Sequence, residues 1–332
     1  MFIPQSYSLA IILCVVTMLC WGSWGNTQKL AGKSWRFELY YWDYVFGILI
    51  FSLLLGFTLG SNGDQGRGFI EDIRQAEAPN ILNAALGGVI FNASNILLVA
   101  AMSIAGMAVA FPVGVGIALA LGVIVNYVFV PQGNPVWLFG GVVLIVIAIL
   151  LDAVAYKKHS TSMKNVSGKG IVLSASAGVL MALFYRFVAS SMATSFELPE
   201  TGKLTPYSAI FFFATGVVVS NLLFNYLIMK RPFKGEPLSL EDYKKGTFGV
   251  HITGLFGGII WNIGMSMSII ASGKAGFAIS YGLGQGATLV AALWGVFIWK
   301  EFKGASTQVN ILILLMFLAY LAGLALLVYA GT

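Results

Sequence analysis

The chain has 332 residues, 58% of them hydrophobic and only 10% charged, with a formal net charge of +6 and two cysteines. Its mean hydropathy of +0.86 lies far outside the range of soluble domains, in which about a quarter of residues are charged, and excludes a soluble enzyme or binding module. The basic excess needs no nucleic acid, because the Lys and Arg residues sit in short loops where anionic lipid headgroups attract them.

Charge-free runs predict an all-α integral membrane protein of ten transmembrane helices. The first, 7–28, follows MFIPQSYS, which lacks the basic start of a signal peptide and so reads as a retained span. It carries Trp21 and Trp24, and its Cys14 and Cys20 read as small packing residues. The second, 39–60, opens on YYWDYVF, with Asp43 about two turns in. Trp35, Tyr40, Tyr41, Trp42 and Trp299 read as an interfacial aromatic belt. From Ala78 to Leu151 run 74 residues without an acidic or basic side chain, room for the third, fourth and fifth spans at 80–103, 107–129 and 135–156. They hold Asn92 and Asn95, then Pro112, then Asp152 near the end of the fifth.

A basic link, 157–169, leads to the sixth span at 170–191, which contains Arg186, and the seventh at 206–229. The eighth, 247–271, carries Trp261 and Asn262; the ninth, 276–299, carries Tyr281 and Gln285; the tenth is 308–330. Fourteen of the nineteen Lys and Arg residues fall in loops after odd-numbered helices and four on the other side. The positive-inside rule then puts the protein in the plasma (inner) membrane with both termini extracytoplasmic.

Shifting the chain by 170 residues lays Gly87–Gly122 over Gly257–Ala292 without a gap, with Gly88/Gly258, Asn92/Asn262, Gly106/Gly276 and Gly116/Gly286 among the identical pairs. Two halves, 1–156 and 170–332, are therefore expected as repeats. Five helices per half is an odd number, so the second half should enter the membrane upside down, the inverted arrangement associated with alternating access.

The chain shows no nucleophile–base pair and no metal set, and its short GxG stretches sit inside apolar helices and not after a strand as a nucleotide loop would: His159 and His251 have no Cys, Asp or Glu at ligand spacing. The glycines of helices 4 and 9 read as close-packing positions, or as thin walls that let backbone line a cavity. Polar side chains at membrane depth are the candidate site, since leaving them unsatisfied in lipid is costly. Asn92, Asn95, Asn262 and Gln285 could bind a neutral solute through paired donors and acceptors, or only tie helices together. As repeat mates, Asn92 and Asn262 should lie near each other at mid-depth. Trp21, Trp24, Trp261 and Tyr281 could stack on a flat solute or face lipid. Arg186 could snorkel, pair, or hold a carbonyl or anionic group. Asp43 is the candidate proton carrier; Asp152 could serve too, or pair with Lys157 or Lys158. Where the halves differ, as at Val115/Gln285, an asymmetric solute should be read.

WGSWGNTQKL (Trp21 to Leu30), YYWDYVFGILI (Tyr40 to Ile50), and the GG-x6-N pattern from Gly87 to Asn95 that closes in VNYVF (Val125 to Phe129) resemble the ureide permease and glucose/rhamnose porter branch of the drug/metabolite transporter superfamily. The resemblance spans most of the chain, but the long central loop of plant ureide permeases is replaced by the short link. It implies small polar solutes, often carried with protons, and a cavity lined by helices 1–4 and 6–9 with helices 5 and 10 outside. The expectation is a proton-coupled importer of a sugar, ureide or nucleobase, with no cofactor beyond the proton gradient, acting as a monomer or homodimer. An exporter of amphipathic metabolites, or a non-transporting scaffold, are the alternatives.

Overall fold

A computed structural model describes residues 1–32, 35–159 and 168–332, apart from the side chains of residues 107 and 108. Residues 160–167, most of the expected link, lie outside the described residues. Ten helices are long and apolar enough to cross a membrane. Helix is the form these runs must take, because lipid offers no partner for backbone N–H and C=O groups.

In chain order the spans are α1 (Tyr7–Ser23) continuing through Trp24 into α2 (Gly25–Ala31), α3 (Phe37–Phe57), α5 (Ala78–Ala105), α6 (Met107–Phe129), α7 (Pro135–His159), α8 (Gly168–Ser191), α9 (Pro206–Lys230), α11 (Phe248–Ala275), a broken span of α12 (Phe277–Gly284) and α13 (Ala287–Leu293), and α14 (Thr307–Tyr329). Two short surface helices, α4 (Phe69–Gln75) and α10 (Leu240–Lys244), join α3 to α5 and α9 to α11. Ser6 and Ser306 cap α1 and α14, accepting from the backbone N–H of Leu9 and Val309.

Single glycines join α5 to α6 and α11 to α12. Gly106 has φ +83° and ψ 154°, and Gly276 has φ +82° and ψ 153°. Only glycine reaches this region cheaply, so these two identical positions are hairpin corners; a Cβ on Gly106 would meet nothing within 4 Å, whereas one on Gly276 would also lie 2.5 Å from Gln132 Oε1.

Other repeated glycines do mark crossings. A Cβ on Gly88 of α5 would collide with the Phe213 carbonyl oxygen of α9, and one on Gly258 of α11 with that of Tyr44 on α3. One turn along, Asn92 Nδ2 donates to the Val217 carbonyl at 3.3 Å and to Ser220 Oγ at 2.9 Å, while Asn262 Nδ2 donates to the Ile48 carbonyl at 2.7 Å. α7 and α14 pack on each other through Gly141 and Gly323.

The ninth span, expected as one helix over 276–299, is interrupted. At Gln285 and Gly286 the bonding tightens to three-residue spacing, with Gly286 N–H to the Leu283 carbonyl and Leu289 N–H to the Gly286 carbonyl, both 2.9 Å. It then widens into a π turn over Trp294–Ile298, a feature common where a helix wall is functional.

Candidate functional site

Two connected cavities run into the bundle from the face that carries α2 and the start of α3. The outer, a vestibule of about 720 Å³, has Lys29, Trp35, Arg36, Trp299 and Glu301 at its mouth. The inner, of about 120 Å³, is its blind end. Trp21, Trp24, Asn95, Leu98, Phe111, Thr288 and Ala291 line both, so the path is continuous. Phe91, Phe184 and Trp261 form the floor. The Phe91 and Trp261 rings meet at 4.2 Å between centroids, and Phe213 stacks behind Trp261 at 5.9 Å. Phe91 and Trp261 occupy matched positions under the 170-residue shift. The bulky pair that meets there is thus aromatic, one residue before the two asparagines.

Among the described residues, no Asp, Glu, Lys, Arg or His lines the inner compartment. Most of its polar groups are already engaged: Ser94 Oγ donates to the Ala177 carbonyl at 2.7 Å, and Asn95 Nδ2 donates to Tyr41 Oη at 3.1 Å. Thr288 Oγ1 donates to the Gln285 carbonyl at 3.0 Å. The Gln285 backbone N–H is bound to the Tyr281 carbonyl at 3.1 Å. The residue is 8% exposed, and its side-chain amide has no hydrogen-bond partner among the described residues. Gln285 therefore sits at the break between α12 and α13 with a free donor and acceptor facing the compartment, joined by the Oδ1 acceptor of Asn95.

Of the other sequence candidates, Trp21, Trp24 and Trp261 supply rings, with Trp21 and Trp261 stacked at 5.8 Å. Asn92, Asn262 and Tyr281 stand outside the lining. Tyr281 is fully buried, its hydroxyl shared between the carbonyls of Ala118 and Met181 at 3.1 Å each. Arg186 also stands outside the lining and lies over the Phe129 ring at 4.2 Å. Ser94, Phe91, Phe111, Phe184 and Thr288 were not anticipated. Thr288 replaces Ala118 under the 170-residue shift, the same broken symmetry that singled out Gln285.

Charge is confined to the vestibule. Lys29 Nζ lies 3.2 Å from Glu301 and 4.6 Å from the Trp299 ring centre, and Tyr156 donates to Glu301. Asp152 lines the vestibule with Tyr156 and forms no ion pair with Lys157 or Lys158 among the described residues. The fifth span, expected outside the cavity, thus reaches it through these two residues, whereas the seventh, expected to line it, does not.

Asp43 lies outside both linings. Its Oδ1 accepts from Tyr243 Oη of α10 at 2.5 Å, and its Oδ2 is 2.9 Å from His251 Nδ1 of α11. Burial, and then the bond to Asp43, push the Tyr243 hydroxyl above its usual range, so it stays protonated and donates. His251 therefore has an acidic partner after all, 208 residues away in the chain and invisible to spacing arguments. The expected belt is likewise corrected: Tyr40 and Tyr41 are fully buried, held by Thr27 at 2.6 Å and by Asn95. No metal-holding group of three or more His, Cys, Asp or Glu occurs among the described residues.

A sequence model of the ureide permease family matches residues 40–169 and 157–330. The chain belongs to the ureide permease family. The two matches overlap at the link between halves. Ureide permease 4 of Arabidopsis thaliana is 22% identical, with 98% of each chain covered, over 398 aligned positions. Ureide permease 1 of the same plant is 21% identical with the same coverage, and Probable ureide permease A3 of Vigna unguiculata is 24% identical over 92% of this chain and 99% of its own. A solved crystal structure shares the fold at TM-score 0.64 and 16% identity, covering 96% of this chain and 97% of that one. The permease is an integral membrane transporter of small polar solutes and not an enzyme.

Proposed function

We propose that the permease carries a flat, neutral solute bearing amide or hydroxyl groups, a cyclic ureide or nucleobase before a sugar. The supporting observation is the inner compartment: aromatic walls, no ionisable side chain, and the Gln285 amide left free beside Asn95. Rings such as Trp21 and Trp261 would cover the solute's faces, while Gln285 and Asn95 would read its edge through complementary donors and acceptors. The names of the relatives support the ureide choice. A thermal-shift screen of purified protein against ureides, nucleobases and sugars tests it, since a ligand bound only by the folded state raises apparent stability. Stabilisation by sugars alone would sink this ranking.

The wider reading is alternating access between two inverted five-helix halves, 1–156 and 170–332, of the drug/metabolite transporter type with kinship to glucose/rhamnose porters. Matched contacts at Gly88/Gly258 and Asn92/Asn262 support it. In this reading the vestibule's face is cytoplasmic in a plasma (inner) membrane and the termini are outside. We assign proton coupling to Asp43 with His251, which join α3, α10 and α11 away from the solute. Uptake into proteoliposomes with and without a pH gradient is the check, and equal accumulation in both would remove the coupling. A second reading, export of amphipathic metabolites, is favoured by the largely aromatic and aliphatic lining; broad resistance on overexpression would support it.

A further inference from the structure

The face opposite the vestibule is sealed by more than the aromatic floor. α4, which follows the far end of α3, holds Asp72 with no exposed surface. Asp72 Oδ2 accepts from the Thr205 N–H at 2.8 Å, from Thr205 Oγ1 at 3.0 Å and from Ser208 Oγ, all at the start of α9. Its Oδ1 accepts from Arg67 at 2.8 Å and from Gln75 Nε2 at 3.2 Å. Arg67 also donates to the carbonyls of Pro199, Glu200 and Lys203 at 2.8, 3.2 and 3.2 Å. The Gly202 N–H donates to Gln75 Oε1 at 2.5 Å, and its carbonyl accepts from Asn80 Nδ2 at 2.8 Å. Lys203 Nζ closes the set on Asn80 Oδ1 at 3.1 Å and the Ser190 carbonyl at 2.8 Å.

The 170-residue shift carries these elements to the vestibule face, where different contacts stand among the described residues: Tyr243 of α10 donates to Asp43, Trp35 packs on Tyr243 and His251, and Arg36 donates to the carbonyls of Glu236 and Lys234. Glu71-Asp72-Ile73-Arg74 of α4 lies over Glu241-Asp242-Tyr243-Lys244 of α10, and Gly202 lies over Gly32. Asp242 bonds only within its own segment, to Ser239 and Lys245. A Cβ on Gly202 would sit 2.6 Å from Glu77, whereas one on Gly32, at the vestibule, would meet nothing within 4 Å. The vestibule face thus holds its equivalent segments by other contacts, and among the described residues it has no counterpart of the Asp72 clamp. Buried, fully bonded carboxylates hold two-state contacts well, because losing one partner leaves an uncompensated charge.

We propose that the grip of Asp72 and Asn80 on the segment 199–205 is the gate that seals the face opposite the vestibule, and that its release opens the cavity to that side. The proposal rests on the alternating-access reading, but it is tested by accessibility and not by flux. Ala291→Cys, which lines both cavities, is placed in a chain with Cys14→Ala and Cys20→Ala. A membrane-impermeant maleimide is then added to one side or the other of proteoliposomes of fixed orientation. With Asp72 intact, labelling should come from the vestibule side. Asp72→Asn should raise the rate from the opposite side by about tenfold, as a one-decade shift of a two-state population gives, and Asp242→Asn should not. Lys203→Met, which removes the bonds to Asn80 and Ser190, should act in the same direction and serves if Asp72→Asn does not fold. No rise in folded Asp72→Asn and Lys203→Met, or an equal rise in Asp242→Asn, would overturn the gate. A failure of the transport reading would appear separately, as absent uptake with the labelling change intact.

Discussion

Identical chemistry divides sharply by position. Asn92 and Asn262 each spend their donors on a carbonyl of a neighbouring helix, while Gln285 has no such partner and faces the compartment. Asn92→Ala and Asn262→Ala should therefore lower thermal stability by about 1 kcal/mol each and leave solute affinity nearly unchanged. Gln285→Ala should do the reverse, weakening binding by about 1 kcal/mol, or roughly fivefold, with an unchanged melting temperature. Thermal melts paired with calorimetric titration distinguish the two patterns, and a large loss of affinity in Asn92→Ala would contradict this division. Sequence could nominate all four amides, because each lies at membrane depth, but it could not rotate the helices that carry them. The comparison of repeats came closest: at Val115/Gln285 and Ala118/Thr288 one half has a polar group and the other does not, and both pairs line the cavity.

Helices were legible to within a few residues, since charge-free runs leave no other structure open in lipid. Their interruptions were less so. The break at Gln285 and Gly286, the π turn after α13, and the surface helices α4 and α10 all fell inside or beside segments read as uniform. The repeated sequence in α4 and α10 was available as a signal but lies outside the hydrophobic block first aligned. The corners at Gly106 and Gly276 yield a strong element-scale prediction. Gly106→Ala and Gly276→Ala should each cost about 1–3 kcal/mol, because any Cβ is strained at that backbone conformation. Thermal unfolding checks it, and Gly116→Ala, where a Cβ meets nothing within 4 Å, should be close to neutral. In α10, Asp242 is held well below the usual carboxylate range by its bonds to Lys245 and then Ser239. The stability it adds is complete above the ordinary carboxylate pKa of about 4 and is lost as pH falls through its lowered folded value. Hydrogen exchange over 239–245, corrected for intrinsic rates, should thus keep its protection from neutral pH to about 5 and lose it only in stronger acid.

At the scale of the whole molecule, Asp43 stands outside the cavity proposed to hold the solute, which bears on the proposed coupling. Neither Asp43 nor His251 lines the inner compartment, so Asp43→Asn and His251→Gln should both abolish gradient-driven accumulation while preserving solute binding and gradient-independent exchange. Proteoliposome uptake with an imposed pH gradient, beside counterflow without one, makes the comparison; full accumulation in Asp43→Asn would end the assignment. Composition alone was enough for the class of protein, the number of spans and their approximate limits, because burial of backbone in lipid depends on local apolarity. Identities at a constant offset of 170 residues were also readable, and they motivate the proposed two-halves reading. The pairing of Asp43 with His251, the burial of Tyr40 and Tyr41, the idle amide of Gln285 and the clamp on Asp72 were not. Each depends on which face of a helix meets which neighbour, and apolar spans of nearly uniform composition carry little periodic signal to set that rotation. Packing across residues some 130 to 210 positions apart sets it instead.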